Sequence, residues 1–292
     1  WVLDAGMLSR LDARCWAPVD HEPVPPAVGE VLLRSGCQPW AMTRHAEAAM
    51  RAIGLTPAYV PHGIDTDVFV PLDRAESRRA LGLPEQCFLV GMVAANKGYP
   101  ARKGFSQAIE AYAAFLADHD DAYLYLHAEP TEMYGGVNLP TLLEAHGIPA
   151  ERVSFADRYR ALLGIPQEVM VKVYSALDVL LNPAFGEGFG IPIVEAASCG
   201  TASIVTDWTA MPEVCGPGWL VGGERVYTQQ RSFQLVPRVA AIVEALGGAY
   251  KQASRMRAAC REHALAYDAR RVLAEHMLPA LEGAKVREAV AA

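Results

Sequence analysis

Residues 182–195 read Asn-Pro-Ala-Phe-Gly-Glu-Gly-Phe-Gly-Ile-Pro-Ile-Val-Glu. Gly186, Gly188 and Gly190 fall within five positions, and the acids Glu187 and Glu195 stand eight positions apart. Glycines permit close backbone approach and positive φ, and Pro192 suits the first turn of a helix. The loop therefore opens onto a helix tip whose unpaired N–H groups attract anions. Carboxylates beside a phosphate would repel it, so Glu187 and Glu195 are matched to hydroxyl donors such as those of a sugar or a ribose. The chemistry is recognition of a molecule that is anionic at one end and polyhydroxylated at the other. A dinucleotide fingerprint would need its third glycine where Ile191 or Ile193 stands, which argues against a dehydrogenase. A glycine-rich turn by itself serves packing as often as function. Two glutamates in register with it change that balance.

A second stretch, Ala94 to Gly104, contains Asn96, Lys97 and Lys103. A lysine at a helix start is commonly just solvated, but Lys103 follows a strand, where ligands of parallel sheets bind.

The elements that must carry these loops follow from period and punctuation. Gln38–Thr43 reads as a strand, His45–Ile53 as a helix ended by Gly54, and Ala58–Asp65 as a strand running into a turn. Prolines 18, 23, 25 and 26 forbid a regular helix or central strand before Gln38, which is expected to be an ordered loop. From Cys87 strands and helices alternate: strands at Phe88–Ala94, Tyr123–His127, Val153–Phe155, Asp178–Leu181 and Thr201–Thr206, helices at Ser106–Asp118, Leu139–His146, Gln167–Ala176 and Ile191–Cys199. That rhythm predicts an α/β, doubly wound, Rossmann-like parallel sheet covered on both faces. Helices are expected at Val236–Ala245, Lys251–Ala266 and Ala269–Glu282.

Composition bounds the partners. The 292 residues carry a net charge of -7 with no basic cluster, which disfavours nucleic acid. The cysteines (Cys15, Cys37, Cys87, Cys199, Cys215, Cys260) are dispersed without a C-x-x-C pair and read as reduced thiols of a cytoplasmic protein. No apolar stretch reaches the roughly 20 residues needed to span a bilayer, and membrane association is not indicated. His21, His45, His62 and His127 read as surface or core histidines, and His21-Glu22 lacks the further ligands of a metal site.

The segment Glu187-Gly188-Phe189-Gly190-Ile191-Pro192-Ile193-Val194-Glu195-Ala196 resembles the E-x7-E motif of retaining GT-B glycosyltransferases of the group 1, or family 4, type. The resemblance implies a GT-B fold in which Glu187 faces the donor sugar, Glu195 binds ribose hydroxyls, and Gly188, Phe189, Gly190 and Ile191 present backbone to donor oxygens. It implies that Lys103 binds the pyrophosphate and, with Glu187, serves catalysis. Six residues earlier, where the family often has Arg, this chain has Asn96-Lys97, and both are expected to bind the donor. Pro61-His62-Gly63-Ile64-Asp65 is similar to the family's interdomain segment, and the loop 158–163 to its nucleobase loop. Pro212-Glu213-Val214 matches a family Pro-Glu-Val, although Trp208-Thr209-Ala210 replaces the usual Gly-Gly. The implied organisation is the end of an acceptor-side domain in residues 1–66, a complete donor domain in 67–265, and a returning helix in 266–292. The family's catalytic histidine and N-terminal glycine loop are then expected upstream of Trp1.

The implied activity is transfer of a sugar from a UDP-, GDP- or ADP-sugar to an acceptor hydroxyl with retention, without cofactor or metal. A nucleotide-sugar-binding module, an inactive remnant, or a GT-B epimerase stay open; a phosphorylase would need more chain and a pyridoxal phosphate lysine.

Overall fold

A computed structural model describes residues 5–98, 100–158 and 164–282. Tyr99, most of the expected nucleobase loop (159–163) and the end of the expected returning helix (283–292) lie outside the described residues.

The fold holds two parallel sheets. The smaller is β1 (Arg14–Ala17), β2 (Gln38–Ala41) and β3 (Ala58–Tyr59), ordered β1-β2-β3. Its core gathers Cys15, Ala17, Val19, Val24, Leu32, Ala41, Ala46 and Met50 beneath α2 (Pro26–Ser35) and α3 (Arg44–Ala52), which follow a short α1 (Ala5–Leu8). Helix α2 corrects the expectation of irregular chain before Gln38. Pro25 is its N-cap and Pro26 its first residue, a first-turn position whose N–H would have no partner within the helix. The prolines thus mark boundaries, and β1 ends just before Pro18, on the sheet edge.

The larger sheet has six parallel strands: β4 (Phe88–Val93), β5 (Ala122–His127), β6 (Val153–Phe155), β7 (Val179–Asn182), β8 (Ala202–Thr206) and β9 (Gly218–Val221). Their order is β6-β5-β4-β7-β8-β9. The chain runs outward from β4 to β6, then returns to place β7 on the other side of β4. Side chains alternate between the faces as the strand period requires: Leu89 and Leu180 enter one core, and Phe88, Val90, Val179 and Leu181 the other. With α4 (Arg74–Leu81), α5 (Phe105–Leu116), α6 (Leu139–Ala145), α7 (Gln167–Ala176) and α8 (Ile191–Ser198) over the two faces, this is the doubly wound α/β architecture expected.

Beyond β8 the structure departs from the expectation. After α9 (Met211–Cys215) come β9 and an antiparallel hairpin, β10 (Gly223–Tyr227) and β11 (Phe233–Pro237). The expected helix at Val236 therefore starts later, as α10 (Val239–Gln252). A tight turn at Ala253–Arg255 splits the next from α11 (Arg257–Ala264), and the last, from Ala269, widens by one π-turn at Leu273–Met277. The hairpin rests on tertiary contacts: Glu22 exchanges two backbone hydrogen bonds with Phe233, each 3.1 Å, and Leu235 N–H donates to Phe185 O at 3.0 Å.

At the opposite end of the sheet from the glycine loop, Arg78 is 4 % exposed and donates to Asp178, to Ala176 O and to the carbonyls of Glu85 and Cys87. Asp178 also accepts from Arg74 and from Leu89 N–H. Removing Arg78 takes the donor from three carbonyls and one of two cations from the Asp178 carboxylate, which costs roughly 3 kcal/mol. Arg78→Ala is expected to lower the thermal midpoint by about 6 °C or more for a chain of this size, checked by calorimetry.

Candidate active site

Ligands of an open parallel sheet bind beyond the carboxyl ends of its strands where the strand order reverses. Here that point lies between β4 and β7, and the loops leaving those strands are the two singled out in the sequence, 94–104 and 183–190. They touch directly: Phe185 N–H donates to Arg102 O at 2.7 Å, and Arg102 Nη1 donates to Gly186 O at 2.9 Å.

The glycines let the loop lie against the small-sheet segment. A Cβ at Gly186 would overlap the Asp20 carbonyl, and one at Gly188 would overlap Pro18. Gly190, at φ 98°, turns the chain into α8. The Phe189 ring is buried against His62 and Tyr267, with centroids 5.1 and 5.6 Å away, and His62 in turn packs on Trp16. From below, Thr209 brackets Glu187: Glu187 N–H donates to its Oγ1 at 3.2 Å and that hydroxyl donates back to Glu187 O at 3.1 Å. Thr209 sits at φ 51°, a conformation glycine adopts freely, so these bonds offset the strain at the position where Gly-Gly is replaced.

Glu187 is 7 % exposed. A carboxylate so buried needs compensating charge. It has it on both oxygens: Lys103 Nζ pairs with Oε1, and Arg102 Nη1 lies 3.7 Å from Oε2. Lys103 lines a cavity of about 620 Å³ with Asn96, Lys97, His127, Glu129, Tyr134, Arg158 and Pro192 among its walls. Lys97, Lys103 and Arg158 face Glu129 there, so the described lining carries a positive excess suited to a diphosphate. His127, which lines this cavity, is held below the usual histidine range by burial and is therefore neutral near pH 7.

The remaining predicted residues fall differently. Neither glutamate belongs to the cavity wall. Glu187 reaches it through Lys103, and Glu195 lies one turn after Pro192 on the same helix face. The half-buried Glu195 accepts from Tyr174 OH at 2.7 Å; burial holds its carboxyl above the usual range while that hydrogen bond opposes the shift. Asn96 is buried with its amide committed to backbone, donating to Glu129 O and Val137 O and accepting from Val137 N–H. It shapes the cavity by bracing the 129–137 loop. Lys97 is exposed at the mouth, and Ile191, 40 % exposed, begins α8. Sequence reasoning missed Arg102 and Tyr174 and placed Arg158 only as the start of the nucleobase loop. Arg102 neighbours Lys103 and shared its signal, whereas Tyr174 carries no local mark. His21 is buried, its Nδ1 2.7 Å from Asp20 Oδ1. Among the described residues no three His, Cys, Asp or Glu side chains gather as metal ligands, and no helix is long and apolar enough to cross a membrane.

The match to known proteins lies on this same region. The family of glycosyl transferases group 1 covers residues 88–248. A D-inositol 3-phosphate glycosyltransferase of Corynebacterium jeikeium is 33% identical over 156 residues, 52% of this chain and 36% of that protein. The chain thus matches about a third of the length of that curated relative. Among solved structures, Anabaena HepE in complex with UDP superposes with a TM-score of 0.71 at 16% identity, over 96% of this chain and 77% of that one. Sucrose-phosphate synthase of Thermosynechococcus elongatus gives 0.68 at 21%, over 90% and 61%. Those identities carry the fold, which is of the GT-B type. With more than half of its length, both switch-point loops included, within the match, the chain belongs to the group 1 glycosyl transferases.

Proposed function

We propose that this chain binds a nucleotide sugar in the cation-lined cavity and transfers the sugar to an acceptor hydroxyl with retention of configuration. The observation that carries the reading is Glu187, buried at the switch point with Lys103 on one oxygen and Arg102 on the other. Lys97, Lys103 and Arg158 take the diphosphate, with the N-terminus of α8 adding its partial positive charge. As the bond from the anomeric carbon to the phosphate oxygen breaks, these groups neutralise the charge left on the departing diphosphate, so the step needs no metal. Glu187 orients the sugar and stabilises its developing positive charge. The released phosphate oxygen takes the proton of the acceptor hydroxyl as the new glycosidic bond forms on the same face. Glu195 binds the ribose hydroxyls, its carboxylate oriented by Tyr174. The backbone of Gly188, Phe189, Gly190 and Ile191 contacts donor oxygens. In this reading residues 1–66 are the end of the acceptor-side unit, 67–265 the donor unit and 266–292 the helix returning across them.

The UDP bound to Anabaena HepE makes uridine the first base to try. Titration calorimetry of the 292-residue chain with UDP, GDP and ADP is expected to show binding of one of them. Glu195→Ala is expected to weaken that binding about tenfold, the scale of one lost hydrogen bond to a charged group. Lys103→Ala is expected to weaken it at least as much. Absence of binding to all three nucleotides would sink the donor site. Turnover of the matching nucleotide sugar, followed as nucleotide release, is expected to persist in EDTA and to drop about 100-fold or more in Glu187→Gln, the size of a lost transition-state electrostatic contact. Binding without any release would instead favour a nucleotide-sugar-binding module.

A further inference from the structure

A second cavity, of about 660 Å³, opens on the other side of the Glu187 pair. Its walls are the Asp20-His21 segment, the start of α5 with Arg102, and the β10–β11 hairpin. The hairpin is held beside its turn by the Glu22 to Phe233 backbone pair and the Ser232 hydroxyl on Pro23 O, and along its length by an Arg225 to Glu22 ion pair of 3.2 Å and the Leu235 to Phe185 hydrogen bond. Its turn, from Tyr227 to Gln230, lines the cavity: Tyr227 is 60% exposed, and Gln229 and Gln230 are exposed.

The lining has a definite chemistry. Gln107, Gln229, Gln230 and Gln234 each offer an amide, which both donates and accepts, and Ser106 and Thr228 add hydroxyls. Groups of that dual kind match sugar hydroxyls, which also donate and accept, and the Tyr227 ring gives an apolar surface for pyranose C–H bonds. Charge separates this cavity from the first. Arg102 faces Asp20 here, and the same guanidinium serves Gly186 O and Glu187, so the described lining has no positive excess for a phosphate. The first cavity meets Glu187 through Lys103 at Oε1, and this one meets it through Arg102 at Oε2.

We propose that the cavity under the β10–β11 hairpin binds an uncharged polyhydroxylated molecule, a sugar or glycoside, and that the hairpin selects it. That this molecule is the acceptor rests on the transferase reading above; that it binds here does not. The hairpin belongs to the donor-side sheet region, so acceptor choice is made in part by that region's own polypeptide.

Saturation-transfer NMR of the 292-residue chain with methyl α-D-glucopyranoside, methyl α-D-mannopyranoside and glucose 6-phosphate tests this. The expected result is signal from at least one neutral glycoside, no stronger signal from the phosphate, and a loss of at least fivefold in apparent affinity in Tyr227→Ala and in the double variant Gln229→Ala/Gln230→Ala. All three replaced residues are exposed, and a thermal scan verifies that each variant is folded. Nucleotide titration of the same variants is expected to be unchanged, which confines the loss to this cavity. No signal from either neutral glycoside, signal insensitive to the hairpin variants, or preference for glucose 6-phosphate each overturns the inference. Hairpin-dependent glycoside binding in a chain that binds no nucleotide supports the sugar site and removes the transferase reading.

Discussion

A buried carboxylate must be balanced, and the balance of Glu187 organises this molecule. The cations that neutralise it come from the loop after β4, while Glu187 itself stands on the loop after β7. Those strands are neighbours only because the chain winds outward to β6 and then returns across β4. The charge pairing therefore ties the site to the topology: undoing the reversal of strand order would separate the acid from its cations.

The same loop is held by three unrelated kinds of force. Close packing fits Gly186 and Gly188 against the backbone at Pro18 and Asp20, where no side chain has room. Aromatic packing buries Phe189 among His62 and Tyr267. Hydrogen bonds from Thr209 fix the peptide of Glu187 from beneath. Redundancy of this sort holds the Glu187 carboxylate in one place against its two cations. It also couples the small sheet to the large one. Glu213 strengthens that coupling by accepting from Arg44 N–H and Tyr59 OH, and Asp268 does so by accepting from Thr66.

Legibility differed by element for physical reasons. The strands and helices from Phe88 to Thr206 were readable because each buries one face and so repeats its apolar residues at the strand or helix period. Helix α2 was hidden by its own prolines, which stop a helix when internal and start one at its first turn. The β10–β11 hairpin was hidden because both strands are short, β10 is largely exposed, and the pair is held by Glu22, some 200 residues away in sequence. Tyr174 has no neighbouring signal, since a lone Tyr becomes informative only once its partner is known.

What the sequence by itself determined was the kind of fold and the residue types of the site. The periods of burial, the glycine spacing and the two glutamates are local properties of the chain and fix local geometry. What only the tertiary structure decided was partnership. Lys103 and Arg102 share one carboxylate, Asn96 is spent on bracing a loop, Glu195 accepts from Tyr174, and a hairpin walls a second cavity. Charge balance and close packing act through space between residues far apart in the chain, so those assignments exist only once the chain is folded.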